Sequence, residues 1–142
     1  MKASSVKLDG SQRVGLRGLG LTLLLSGAVW AWIHRMDDAW EAASWMREIK
    51  PWMLKLHGFA GVGFVLLLGT LIPTHIVRGW NSGRNRILGV FFLVAMAALT
   101  LSGYSLYYLG DEGWRLGFSR LHLWLGLASP LLLFWHIRAG RR

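Results

Sequence analysis

Four long apolar runs, parted by short polar stretches, organise the 142-residue chain; they cover about residues 16–33, 54–77, 87–109 and 116–137. Apart from Arg17 and Lys55 at their edges and Arg120 near the start of the fourth, these runs hold no Lys, Arg, Asp or Glu. Roughly 20 apolar residues carry a helix across the hydrocarbon core of a bilayer, so each run is long enough to span. The pattern predicts an all-α fold, a four-helix transmembrane bundle built as a single membrane domain over residues 1–142. The first polar stretch, RMDDAWEAASWMREIKPW, has Trp40, Ala43 and Met46 at three-residue spacing among charges, with Asp37 or Asp38 able to cap a helix. It predicts a short amphipathic helix in the first outer loop, lying on the membrane face. The second, GWNSGRNR, is polar and glycine-containing and predicts an irregular turn.

Charge orients the spans. The N-terminal tail, the stretch around Arg78–Arg86 and the C-terminal tail hold ten of the sixteen Lys and Arg with a single acid, Asp9, a net of +9; the six remaining cations face six acids on the other side. By the positive-inside rule both termini are cytoplasmic. The same asymmetry accounts for a pI near 11.1 without a nucleic-acid partner. Trp30 and Trp32 stand where a signal-peptide cleavage site would need small residues, so the first run reads as an uncleaved helix. Trp30, Trp32, Trp52, Trp80 and Trp114 fall at span ends as an aromatic belt. Cysteine is absent, which excludes disulfides, thiolate-held clusters and covalent c-type haem.

Of five histidines, four fall on two spans: His57 and His75 on the second, His122 and His136 on the fourth. These two spans run in the same direction, so His57 and His122 share the outer side and His75 and His136 the inner. At 100° per residue, the step from His122 to His136 closes to within about 40°, and that from His57 to His75 makes about five whole turns, over roughly 21 Å and 27 Å of helix. Leu-His-x-x-x-Gly occurs twice, in LHGFAG and LHLWLG, placing Gly61 and Gly126 one turn below the outer histidines. Bare backbone there lets a flat macrocycle approach. Zinc wants three or four ligands at one point; two ligands at each side of the membrane suit haem, whose porphyrin supplies the rest. Packing alone, with histidines as interhelical hydrogen-bonders, is the competing explanation. His34, beside Arg35, reads as interfacial.

With these residues in place, the chain resembles the small di-haem membrane b-type cytochromes, including cytochrome b561-like proteins and the haem b subunits of nickel–iron hydrogenases and formate dehydrogenases. LTLSGYSLYYLG is similar to a stretch of their third helix, and LHLWLGLASPLLLFWHI to their last haem-binding helix. The resemblance covers about residues 54–142. It implies an outer haem b on His57 and His122, an inner haem b on His75 and His136, and electron transfer between a quinone/quinol pool and a redox protein partner or larger membrane complex, in the cytoplasmic membrane if the host is bacterial. In that family the step between histidines is near 13 or 14 on both helices, whereas His57 and His75 are 18 apart. Pro73, two residues before His75, can kink the helix and re-aim that imidazole. Lys55, Arg120, Arg78 and Arg138 are candidates for haem propionates. Tyr104, Tyr107, Tyr108, Asp111 and Glu112 are candidates for a quinone, though an aromatic belt and a solvated turn are the stronger explanation. A stand-alone quinone-linked oxidoreductase and a haem-free anchor or assembly subunit are the alternative functions.

Overall fold

The computed structural model describes residues 8–39, 43–83 and 85–140, and these are helical almost throughout, with no strand among them. Helix α1 spans Gly10–Asp38, α2 Ser44–Leu71, α3 Val77–Asn81, α4 Arg86–Tyr108 and α5 Glu112–Gly140, with a π-helical segment over Ile72–Ile76 between α2 and α3. Four helical stretches are long and apolar enough to cross a bilayer: Gly10–Asp38, Ser44–Asn81, Arg86–Tyr108 and Glu112–Gly140. The chain is therefore all-α, and it is an integral, multi-pass membrane protein. Large apolar side chains such as Phe59, Ile87, Leu66, Leu131 and Trp135 point outward. In water this surface would aggregate. In lipid it is the favourable arrangement, because helices leave no backbone group unpaired in the hydrocarbon.

The helices outrun the apolar runs. A helix of 29 residues, as α1 and α5 are, is about 44 Å long, more than the roughly 30 Å of hydrocarbon it has to cross. The extra turns project into the headgroup and water layers, where charged residues continue the helix without cost. This corrects the expected short helix in the first outer loop. Among the described residues it is not separate: Asp37 and Asp38 end α1, and Ser44–Lys50 forms the first turns of α2. Trp40, which was part of that expectation, lies outside the described residues. Pro51 sits inside α2 rather than at its start. It removes one N–H, and the carbonyl four residues back, on Arg47, is on the polar side of the span where water satisfies it.

Two compact units make up the chain, divided between Ile72 and Pro73. In the first, α1 packs along α2. Ile33 and Ser26 are among its most buried residues. At one end Asp37 accepts from Lys50 Nζ at 2.8 Å and pairs with Arg47 Nε at 3.2 Å, joining the end of α1 to the start of α2. In the second unit α4 packs along α5 around Ala95, Met96 and Ser102. Its entry turn uses Gly83 at φ +74° and Asn85 at φ +53°, left-handed positions that glycine and asparagine tolerate best. Asn85 Nδ2 then donates to the Ala139 carbonyl at 2.6 Å, tying the start of α4 to the end of α5.

Helix α1 begins with a capping box. Asp9 Oδ1 accepts from the Gln12 N–H at 2.7 Å, and Gln12 Oε1 accepts from the Asp9 N–H at 3.3 Å. The Gln12 amide, followed by the Ser11 hydroxyl, holds the Asp9 carboxyl below its ordinary value of 3.8. A lowered folded pKa means that the cap is fully formed above that ordinary value and is lost as pH falls through the depressed one. Asp9→Ala, or acidification through that range, is expected to speed amide hydrogen exchange at Gln12 and Arg13 while leaving the middle of α1 protected.

Candidate functional site

The histidines are set by two versions of one local design. In α1 the sequence Leu23-x-x-Ser26-Gly27 faces α2, and in α4 the sequence Leu99-x-x-Ser102-Gly103 faces α5. In the first unit His57 Nδ1 lies 3.1 Å from Ser26 Oγ. The Leu23 carbonyl is also within hydrogen-bonding reach of that ring. In the second, His122 Nδ1 lies 3.0 Å from Ser102 Oγ and 3.1 Å from the Leu99 carbonyl. Each imidazole rests on a glycine. A Cβ added at Gly27 would meet His57 Cε1 at 2.9 Å, and one added at Gly103 would meet His122 Cε1 at 3.0 Å. No larger residue fits there without moving the ring.

Gly61 and Gly126 occupy matching places too. A Cβ on either would come 3.9 Å from a leucine methyl, that of Leu23 or Leu99. This is ordinary contact distance, so these two glycines offer bare backbone but are less tightly enclosed than Gly27 and Gly103. The four small residues Ser26, Gly27, Ser102 and Gly103 escape a reading of the sequence by spans and histidines, because a Ser-Gly pair inside an apolar helix reads as close helix packing. The signal that reveals them is the repetition itself: Ser-Gly on the first helix of each hairpin, Leu-His-x-x-x-Gly on the second.

His75 and His136 are built differently. His75 lies in the π-helical segment, two residues after Pro73. Proline cannot donate to the carbonyl ladder, and here the chain answers with a wider turn rather than a sharp kink. The five-turn α-helical step expected between His57 and His75 is accordingly interrupted before it is complete. Within the second unit the structure brings His75 and His136 together, ring centroids 6.1 Å apart and planes inclined at 66°. Phe92 stacks on His136 with centroids 5.3 Å apart. Among the described residues, the buried side-chain polar atoms without a hydrogen-bond partner are Nδ1 of His75 and Nδ1 of His136.

The other candidates divide clearly. Asp111 Oδ1 accepts from the Trp114 N–H at 2.9 Å and so caps the start of α5. Tyr104 and Tyr108 pack ring to ring at 4.5 Å, and both are exposed with Tyr107. Lys55 lies over the Trp52 ring at 4.4 Å. Arg138 lines an open groove of about 490 Å³ with Asn85, Leu88, Trp135 and Ala139. Arg120 and Arg78 are exposed. His34 packs against Trp30 with ring centroids 4.8 Å apart and planes inclined at 43°, and Lys50 Nζ and an Asp38 oxygen lie 3.2 and 3.4 Å from its Nδ1, an interfacial setting. No group of three or more His, Cys, Asp or Glu side chains converges as a metal site among the described residues. No family model, curated protein or solved structure matches the chain.

Proposed function

We propose that this membrane protein is an electron-transfer cytochrome b with two bis-histidine haems, one on His57 and His122 and one on His75 and His136, relaying electrons between a quinone/quinol pool and a redox protein partner. The observation that carries the reading is the His75–His136 pair. With metal–nitrogen bonds of about 2 Å on either side and the width of the rings added, imidazoles on opposite faces of one metal have centroids about 6 Å apart. The pair has that separation, at 6.1 Å. Two half-buried imidazoles side by side, each with an unpartnered Nδ1, are costly in a membrane interior, and a shared metal would give each ring a partner. Two ligands rather than three or four suit a metal whose equatorial positions a macrocycle fills.

The group, when bound, supplies a one-electron iron couple; the protein supplies its ligands and surroundings. His75 and His136 would hold the group between their imidazoles, and with both rings engaged the iron would be closed to oxygen. Phe92 holds the plane of His136 by stacking. Arg138, which lines an open groove, is the candidate to pair with a propionate. Gly61 and Gly126 leave backbone bare beside His57 and His122. For a quinone, Tyr104, Tyr107 and Tyr108 are better candidates than Asp111, whose carboxylate is already used as a cap.

The test is a reduced-minus-oxidised visible spectrum of the purified full chain with pyridine haemochrome quantitation. The expected result is about two haems b per chain, low-spin, with a reduced spectrum that carbon monoxide leaves unchanged. A protein purified without haem from cells well supplied with it would overturn the reading and leave a structural membrane subunit.

A further inference from the structure

The hydrogen bonds around His57 and His122 fix more than their position. Each serine hydroxyl has one proton, and each has a carbonyl of its own helix to receive it. Ser26 Oγ donates to the Thr22 carbonyl at 2.5 Å, with the Leu23 carbonyl farther away at 3.3 Å. Ser102 Oγ donates to the Leu99 carbonyl at 3.1 Å. With its proton committed, each serine oxygen can only accept from the imidazole nitrogen beside it. At His122 the Leu99 carbonyl oxygen stands 3.1 Å from the same Nδ1. A carbonyl oxygen cannot donate, so a bare Nδ1 lone pair at that distance would face another lone pair.

From this we infer that Ser26 and Ser102 are positioning residues that, with the Leu23 and Leu99 carbonyls, lock His57 and His122 as Nδ1–H tautomers and so put each ring's lone pair on Nε2, the atom that would bind a metal. The inference deepens the haem reading and rests on it for the purpose of the arrangement, but the tautomer is a property of the haem-free chain as well. It is the opposite of what an imidazole does unaided, since Nε2–H is the majority neutral form in water. Metal-binding histidines have their other ring nitrogen tied to an acceptor for this reason: it orients the ring and makes it a stronger donor to the metal.

His75 and His136 give an internal contrast. Their Nδ1 atoms have no such partner, so nothing in the second pair imposes a tautomer before a metal binds.

The experiment is nitrogen-15 and carbon-13 NMR of the full-length chain with labelled histidine, prepared haem-free and haem-loaded, above the pH where imidazoles are charged. In the haem-free wild type, His57 and His122 are expected as Nδ1–H tautomers, and His75 and His136 with Nε2–H in the majority. Nε2–H at His57 and His122 would overturn the inference without any variant being made. Ser26→Ala should move only the His57 ring resonances and Ser102→Ala only those of His122, with about a 10- to 100-fold loss of haem affinity at the affected site. Ser26→Thr and Ser102→Thr, which keep the hydroxyl, should restore the shifts. A serine needed only for packing would lower thermal stability and leave the ring resonances in place, which would also overturn it. Nδ1–H tautomers in a chain that takes up no haem would sink the cytochrome proposal and leave this inference standing; haem uptake with ring signals indifferent to both serines would do the reverse.

Discussion

On the two-haem proposal, alanine in place of His136 is expected to lower the haem content of the purified protein from about two per chain to about one. The same result is expected for His75→Ala, and the double substitution should remove no more than either single change. The reason is geometric. The two rings lie 6.1 Å apart centroid to centroid, and a site with two protein ligands loses its defining geometry with either one. If some haem is retained with one protein ligand missing, its reduced spectrum is expected to respond to carbon monoxide, a response not expected of the wild type. Equal haem content in wild type and both single variants would remove these two residues from the cytochrome reading.

The second large effect concerns glycines. Gly27→Ala and Gly103→Ala each place a methyl group 2.9 or 3.0 Å from an imidazole carbon, where something has to shift. Alanine gains helix propensity over glycine by up to about 1 kcal/mol, but forcing a methyl into a filled site costs about 1–3 kcal/mol. The steric effect outweighs the propensity. The ring cannot swing away cheaply, because its Nδ1 is held by Ser26 or Ser102. The expected outcome, on the two-haem proposal, is a helical, folded protein that binds one haem fewer, read by circular dichroism together with haemochrome content. Gly69→Ala, with open space around the added methyl, is the control and should behave as wild type. Gly103→Ala with full haem content and unaltered histidine resonances would show that the tight glycine contact does not govern the ring.

The spans were readable from sequence because an apolar run long enough to cross lipid has few alternative explanations, and the observed helices contain all four runs with only small differences at their apolar ends. Their polar extensions were less legible. Residues 44–50 carry charges and an amphipathic spacing, and nothing in that pattern distinguishes a separate surface helix from the first turns of α2. The grouping of His75 with His136 followed from spacing and depth order. The π turn that delivers His75 did not, because Pro73 announces that one hydrogen bond is missing without saying how the backbone recovers. Ser26 and Ser102 were invisible singly and meaningful only as partners of His57 and His122, a relation that exists across a hairpin rather than along a helix.

The wide turn at Ile72–Ile76 has a consequence for how such a protein can change. In an unbroken α-helix every residue is locked to every other at about 100° per step, so re-aiming one ligand turns all the rest. One additional residue accommodated in a π turn rotates everything after it by about that same increment and leaves everything before it untouched. His57 lies ahead of the turn and His75 within it. A one-residue insertion or deletion between them would therefore re-aim His75 and the residues that follow it while leaving His57 as it is.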